Sequence, residues 1–163
     1  MAHEYVVSAG GITVANQAVT LVFINPAAAP SALIRILRCW VSQSANATSA
    51  QQRVQLNTQA SVFPTLTSTT PAKTKQGDAV SVIAGGIAGA AGTCGTNASA
   101  EGVGAKTVIS NDAFNVLNGW LWVPTPDEVI DMPAGLASGF GLHLPVAPVT
   151  LTNWHCGVVF AER

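Results

Sequence analysis

Charge is what this chain has least of. Only 9% of its 163 residues are Asp, Glu, Lys or Arg, seven basic and eight acidic, against about 25% in ordinary soluble domains. So few ionic groups cannot cover a domain of this size. The exposed surface must therefore be mostly Ser, Thr, Asn, Gln, Gly and Ala, with some apolar groups. A net charge of -1 gives little self-repulsion, which favours association over life as a free monomer. The positive residues Arg35, Arg38, Arg53, Lys73, Lys75, Lys106 and Arg163 are scattered. That excludes a basic footprint, and no nucleic-acid partner is expected.

Helical signals are almost missing. No sustained i, i+3, i+4, i+7 pattern with capping residues occurs. No basic stretch followed by an apolar run opens the chain, so synthesis and retention in the cytoplasm is expected. The uncharged tract from Ala79 to Ala100 contains Gly85 and Gly89 at small-xxx-small spacing, a helix-pairing pattern in membranes. Its apolar part ends near Ala91, short of the roughly 20 residues a spanning helix needs. An extended loop is the simpler reading, and no membrane partner is expected.

Catalytic and metal-binding signatures are equally thin. The three cysteines, Cys39, Cys94 and Cys156, form no CxxC. An odd count without a secretion signal argues against a disulfide framework, and Cys39 and Cys156 read as small buried hydrophobes. His143, His155 and Cys156 lie on two candidate neighbouring strands. No HxH or ExxH spacing joins them, so no metal and no cofactor is expected. Asp127, Glu128 and Asp131 beside Pro126 read as a solvated turn, since calcium loops need more oxygen ligands. No GxSxG elbow or phosphate loop is present. The chain does not read as an enzyme.

What is present is strand. Residues 18–25, 33–43, 52–58, 107–111, 114–123, 128–132, 140–146 and 155–162 are β-rich or alternate with period two. In 33–43 the pattern puts Leu33, Arg35, Leu37, Cys39 and Val41 on one face and Ile34, Ile36, Arg38, Trp40 and Ser42 on the other. In 52–58 it puts Val54 and Leu56 inward. Prolines and Gly-, Ser- and Asp-rich turns separate the runs. About eight short antiparallel strands predict an all-β, jelly-roll-like sandwich, residues 1–163 forming one domain. Residues 62–106 are the longest irregular tract, and are predicted as an extended loop that projects and could drape over a neighbour. Trp120 and Trp122 share one face of a strand, while Trp40 and Trp154 stand apart. Aromatic side chains fill cores, anchor interfaces and stack on sugars. Trp120, Trp122 and Trp154, with Gly85 and Gly89, are the candidate interface or ligand residues.

Several of these segments resemble a family. Phe114-Asn115-Val116, Gly119-Trp120, Pro124-Thr125-Pro126-Asp127-Glu128 and Pro133-Ala134-Gly135 resemble small tailed-bacteriophage virion structural proteins of jelly-roll type. So do Leu142-His143-Leu144-Pro145 and Val158-Val159-Phe160-Ala161-Glu162, and earlier Val41-Ser42-Gln43-Ser44 with Arg53-Val54-Gln55-Leu56. The resemblance implies a capsid decoration or cement subunit, made in the host cytoplasm and docked on the virion's capsid surface. It also implies a homo-oligomer, with a trimer favoured, and the major capsid protein as partner. It carries no catalytic residue. The alternative is a receptor- or glycan-binding tip of a tail fibre, resting on the tryptophans.

Overall fold

The computed structural model describes residues 2–26, 32–45, 48–86, 92–135 and 138–163. Among them there is no helix. The strands are β1 (His3–Ile12), β2 (Val19–Asn25), β3 (Ile34–Gln43), β4 (Gln51–Ala60), β5 (Thr65–Ser68), β6 (Ala72–Lys73), β7 (Ala84–Gly85), β8 (Thr93–Ala100), β9 (Lys106–Asn115), β10 (Trp120–Trp122), β11 (Ile130–Met132), β12 (Ser138–Leu144) and β13 (Trp154–Glu162). They form two sheets packed as a sandwich. Sheet A runs β10-β3-β13-β1-β6, with β11 also on β3; sheet B runs β5-β8-β2-β12-β4-β9, with β7 on β8. Every pairing is antiparallel except β7 with β8.

The core lies between the sheets. Tyr5, Val7, Ile36, Cys39, Val41, Val158 and Phe160 face it from sheet A. Val22, Ile24, Val54, Leu56, Phe140 and Leu142 face it from sheet B, all fully buried. Strict alternation fails in β3. Cys39 pairs with Val158 and Arg38 with Val159, but Phe160 pairs with Ile36, so Leu37 is an extra residue. A bulge of this kind reverses which face the following side chains take. Ile34 and Ile36 therefore share the core with Cys39 and Val41, while Arg35, Arg38 and Trp40 point outward. This corrects the two-face assignment predicted for 33–43. The inward placement of Val54 and Leu56 in β4 matches the pattern.

The tract 62–106 is not an irregular projection. Its described residues supply β5, β6, β7 and β8, and β8 extends sheet B beside β2 in register from Val22↔Thr96 to Asn25↔Thr93. β8 reads TCGTNASA and carries none of the β-branched enrichment that marks a strand. The tract also straps the sandwich. β6 pairs with β1, the Tyr5 hydroxyl donates to the Ala79 carbonyl at 3.0 Å, and the Glu162 carboxylate accepts from the Ser81 hydroxyl and the Val82 N–H. Phe63 packs at a tilt against Phe23, ring centroids 5.6 Å apart, covering the outer side of sheet B. That cover explains why every residue of β2 is buried.

The segment predicted as one strand, 114–123, is split by a turn. Asn118 N–H donates to the Asn115 carbonyl at 2.9 Å, and Gly119 takes φ +71°, a conformation that glycine adopts without steric cost. On the outer side of sheet A, Trp40 lies across Gly157, where an added Cβ would stand 2.1 Å from the ring. Gly157→Ala should therefore cost about 1–3 kcal/mol by forcing the ring away. A thermal melt, together with a change in Trp fluorescence as Trp40 loses its bed, checks this.

Candidate functional site

The sequence candidates separate once placed in the fold. Trp154 is fully buried; its indole N–H donates to the Thr150 carbonyl at 2.8 Å, and its ring meets Phe114 edge-on at 6.4 Å. It is a core residue and offers nothing to a ligand or a neighbour, which corrects its place among the interface candidates. Trp120 and Trp122 do share a face, but the face is the inner one. They pair with Val41 and Cys39, both fully buried, and pack against the core from the edge of sheet A. The outward residue between them is Leu121, 63% exposed. Gly85 sits in β7 beside β8, close against Ser68 and Thr70. Gly89 lies outside the described residues.

Trp120 also ties the sheets together. Its indole N–H donates to Asp112 Oδ2 at 2.9 Å, joining β10 of sheet A to β9, the last strand of sheet B. Asp112 Oδ1 accepts from the Ala113 N–H at 2.7 Å. The Trp120 hydrogen bond, with the backbone one behind it, holds the Asp112 carboxyl below the usual carboxylate range. Val108 and Ile109 of β9 stay about half exposed.

The covered face of sheet B holds a polar cluster that sequence reading missed. Glu101 comes down from the loop after β8. Its carboxylate accepts from the Thr20 N–H and the Thr20 hydroxyl and pairs with Lys106 Nζ at 2.6 Å. His143 Nδ1 lies 3.3 Å from the same carboxylate and 3.2 Å from Thr20 Oγ1. The loop is pressed against the chain: a Cβ on Gly104 would stand 1.8 Å from the Ser61 carbonyl oxygen. The only signal in the sequence was Glu101 and Lys106 standing among uncharged residues. Their meeting with Thr20 and His143 depends on strands far apart in the chain.

The imidazole and carboxylate are close, yet His143 is neutral. Burial comes first among the causes and the Lys106 ammonium second; together they outweigh the Glu101 carboxylate and lower the His143 pKa to about 4. With Lys106 already pairing Glu101, little negative field remains for an imidazolium. The folded-state pKa lies below the unfolded value of about 6.5, so the unfolded chain binds the proton first. This contribution is fully present above pH about 6.5 and is lost as pH falls toward about 4. Denaturation midpoints measured between pH 7 and 4 should fall over that window, and His143→Phe should flatten the slope.

No other chemistry converges. His143 lies in sheet B, while His155 and Cys156 lie in sheet A on opposite faces. His155 points outward to Ser44 at 2.9 Å, and Cys156 is buried. Among the described residues no group of three His, Cys, Asp or Glu side chains could hold a metal. The three thiols are free and buried. Burial pushes Cys94 and Cys156 up to about 12 and Cys39 higher still, which removes the reactive thiolate. In the acidic segment, Thr125 and Glu128 close a turn through Glu128 N–H to the Thr125 carbonyl at 3.0 Å. Asp131 forms a two-pronged pair with Arg35, as planar guanidinium groups do with carboxylates.

What remains is surface. The outer face of sheet A carries Leu121 and Val123, 63% and 60% exposed, beside Leu37, Trp40 and Val159. Arg38 stacks over Trp40 at 5.6 Å. A shallow depression of about 410 Å³ on this face is lined by Glu4, Leu37, Arg38, Thr74, Val123 and Val159. No family model, curated protein or solved structure matches the chain.

Proposed function

We propose that this chain is a structural virion protein, a decoration or cement subunit that docks on the major capsid protein of a phage head and reinforces it. The observation that carries the reading is the state of the surface. The few charges are partly used within the chain, Arg35 on Asp131, Lys106 on Glu101 and His3 on Asp78, and Glu162 is buried. Large apolar side chains stand exposed on several sides at once: Leu121 and Val123 on sheet A, Val108 and Ile109 on β9, and Val80, Val103 and Val149 on loops. Burying such a surface against neighbours removes apolar area from water and strips few ions of their hydration.

The strand order supports the jelly-roll form of the reading. β1-β13-β3-β10 in one sheet oppose β2-β12-β4-β9 in the other, the two four-stranded layers such a fold uses, with 62–106 inserted between β4 and β9. The subunit is a homo-oligomer in this proposal, and the resemblance favours a trimer. The receptor-tip alternative rests on the tryptophans, of which Trp120, Trp122 and Trp154 face inward and Trp40 stands on the outer face of sheet A. Quantitative mass spectrometry of purified particles tests the proposal. Many copies per head are expected, and absence from particles ends it.

A further inference from the structure

We propose that the turn joining β9 to β10 is a self-modification site, at which the Gly119 main-chain nitrogen displaces the Asn118 side-chain amide and leaves an isoaspartyl link that loosens β10. This goes beyond the reading of the chain as a virion subunit and does not depend on it.

Asn118 is the one asparagine in the sequence that glycine follows. With no Cβ on the next residue, nothing stands between that residue's nitrogen and the carboxamide. Asn118 is exposed, in a turn outside both ladders, and its carboxamide makes no hydrogen bond among the described residues. Other asparagines are held. Asn97 Nδ2 donates to the Thr13 carbonyl at 3.0 Å, and the Asn115 amide is engaged at both ends, by the Ser49 hydroxyl and the Leu117 N–H. Asn57 is buried. The attacking nitrogen is loosely held as well. The Gly119 N–H reaches the Asn115 carbonyl at 3.2 Å, while the Asn118 N–H takes the same oxygen at 2.9 Å. Gly119 therefore has the longer and weaker arm of a shared bond.

The chemistry needs only water. Hydroxide removes the Gly119 amide proton, and the nitrogen attacks Asn118 Cγ. The new C–N bond closes a five-membered imide as the Cγ–Nδ2 bond breaks, and Nδ2 leaves as ammonia with a proton from solvent. Water then opens the imide. Opening at Cγ gives aspartate in place of asparagine. Opening at the main-chain carbonyl leaves the chain running through Cβ and Cγ, one carbon longer, with a free carboxylate. Nothing is oxidised or reduced.

The longer link falls where the fold has little slack. A Cβ on Gly119 would already stand 3.2 Å from Ser42 Cβ and from the Val41 carbonyl oxygen, so the added carbon has no room on the β3 side. β10 is only three residues long, paired from Trp120↔Val41 to Trp122↔Cys39, and the Trp120 indole N–H bonds Asp112 Oδ2 at 2.9 Å. The displacement passes to β10, and the Trp120–Asp112 bond between the sheets is what it breaks.

The test incubates the purified, folded full-length chain in mildly alkaline buffer, with peptide mapping and isoaspartyl methyltransferase labelling at intervals. A gain of one mass unit should build up at Asn118 ahead of every other asparagine, faster as pH rises because the nitrogen must lose its proton. Asn118→Gln should abolish it, since a longer side chain closes the ring poorly. The separated isoaspartyl fraction should show altered Trp emission and a lower melt. Asn118→Asp, which carries the charge without the longer chain, should keep both when freshly made. No gain at Asn118, a gain that reaches another asparagine first, or a gain seen only in urea overturns the site. An isoaspartyl fraction with the starting emission and melt overturns the loosening of β10.

Discussion

Trp154→Ala is expected to lower the stability of the fold by about 3–5 kcal/mol, the range for deleting a large aromatic from a packed core. The side chain is wholly enclosed, at the start of β13, the strand that joins β3 to β1. Removing it opens a cavity beside Phe114 and leaves the Thr150 carbonyl without the indole N–H. For a chain of this length each kcal/mol moves the midpoint by roughly 2–4 °C, so the melt should fall by about 10 °C. Trp154→Phe should lose less, because much of the volume stays while the hydrogen bond goes. Differential scanning calorimetry on the two variants checks both. A Trp154→Ala protein with an unchanged melt would mean that the ring is not packed as described.

Glu101→Ala is the second large effect, on the order of 3 kcal/mol, because hydrogen bonds to a mostly buried charge are strong and their donors are left behind. The Thr20 N–H and hydroxyl lose their acceptor under a covered face. Lys106 keeps its ammonium beside His143 with nothing to neutralise it. Glu101→Gln should fall in between, since the amide oxygen still accepts from Thr20 while the amide N–H groups meet donors. Urea denaturation reads the loss as a lower midpoint at unchanged slope. Amide exchange should show residues 101–105 opening first, the loop having lost its anchor on β2. Removing Asp131 makes a useful contrast: its pair with Arg35 lies at the surface, and solvent screening makes the expected loss much smaller.

Sequence reading recovered the strands whose side chains alternate or cluster as β-branched and aromatic runs: β2, β3, β4, β11, β12 and β13 stand within a few residues of their predicted spans. It recovered the turn at Thr125–Glu128 and the buried Cys39 and Cys156. The break between β9 and β10 was written in Asn118-Gly119, a pair that favours positive φ, and went unread beneath the hydrophobic run on either side. β8 left no comparable trace. Its Cys94, Gly95, Thr96 and Ala98 are buried because β2 and β5 flank it, and a neighbour's position is not a property of the segment. The Glu101–Thr20–Lys106–His143 cluster was hidden for the same reason, its members reaching it from β2, β12 and the two ends of one loop.

By itself, the sequence determined the class of the molecule: all-β, in one sandwich, with too few charges to cover itself and no catalytic or metal-binding signature. Those follow from period, composition and spacing, which act locally and add along the chain. Only the tertiary structure decided which side of each strand is inside. Period two separates two faces without naming the buried one, and one extra residue at Leu37 exchanges them. Trp120 and Trp122 were therefore visible as a pair from the start, yet their turn toward the core, leaving Leu121 outside, was set by the register of β10 on β3.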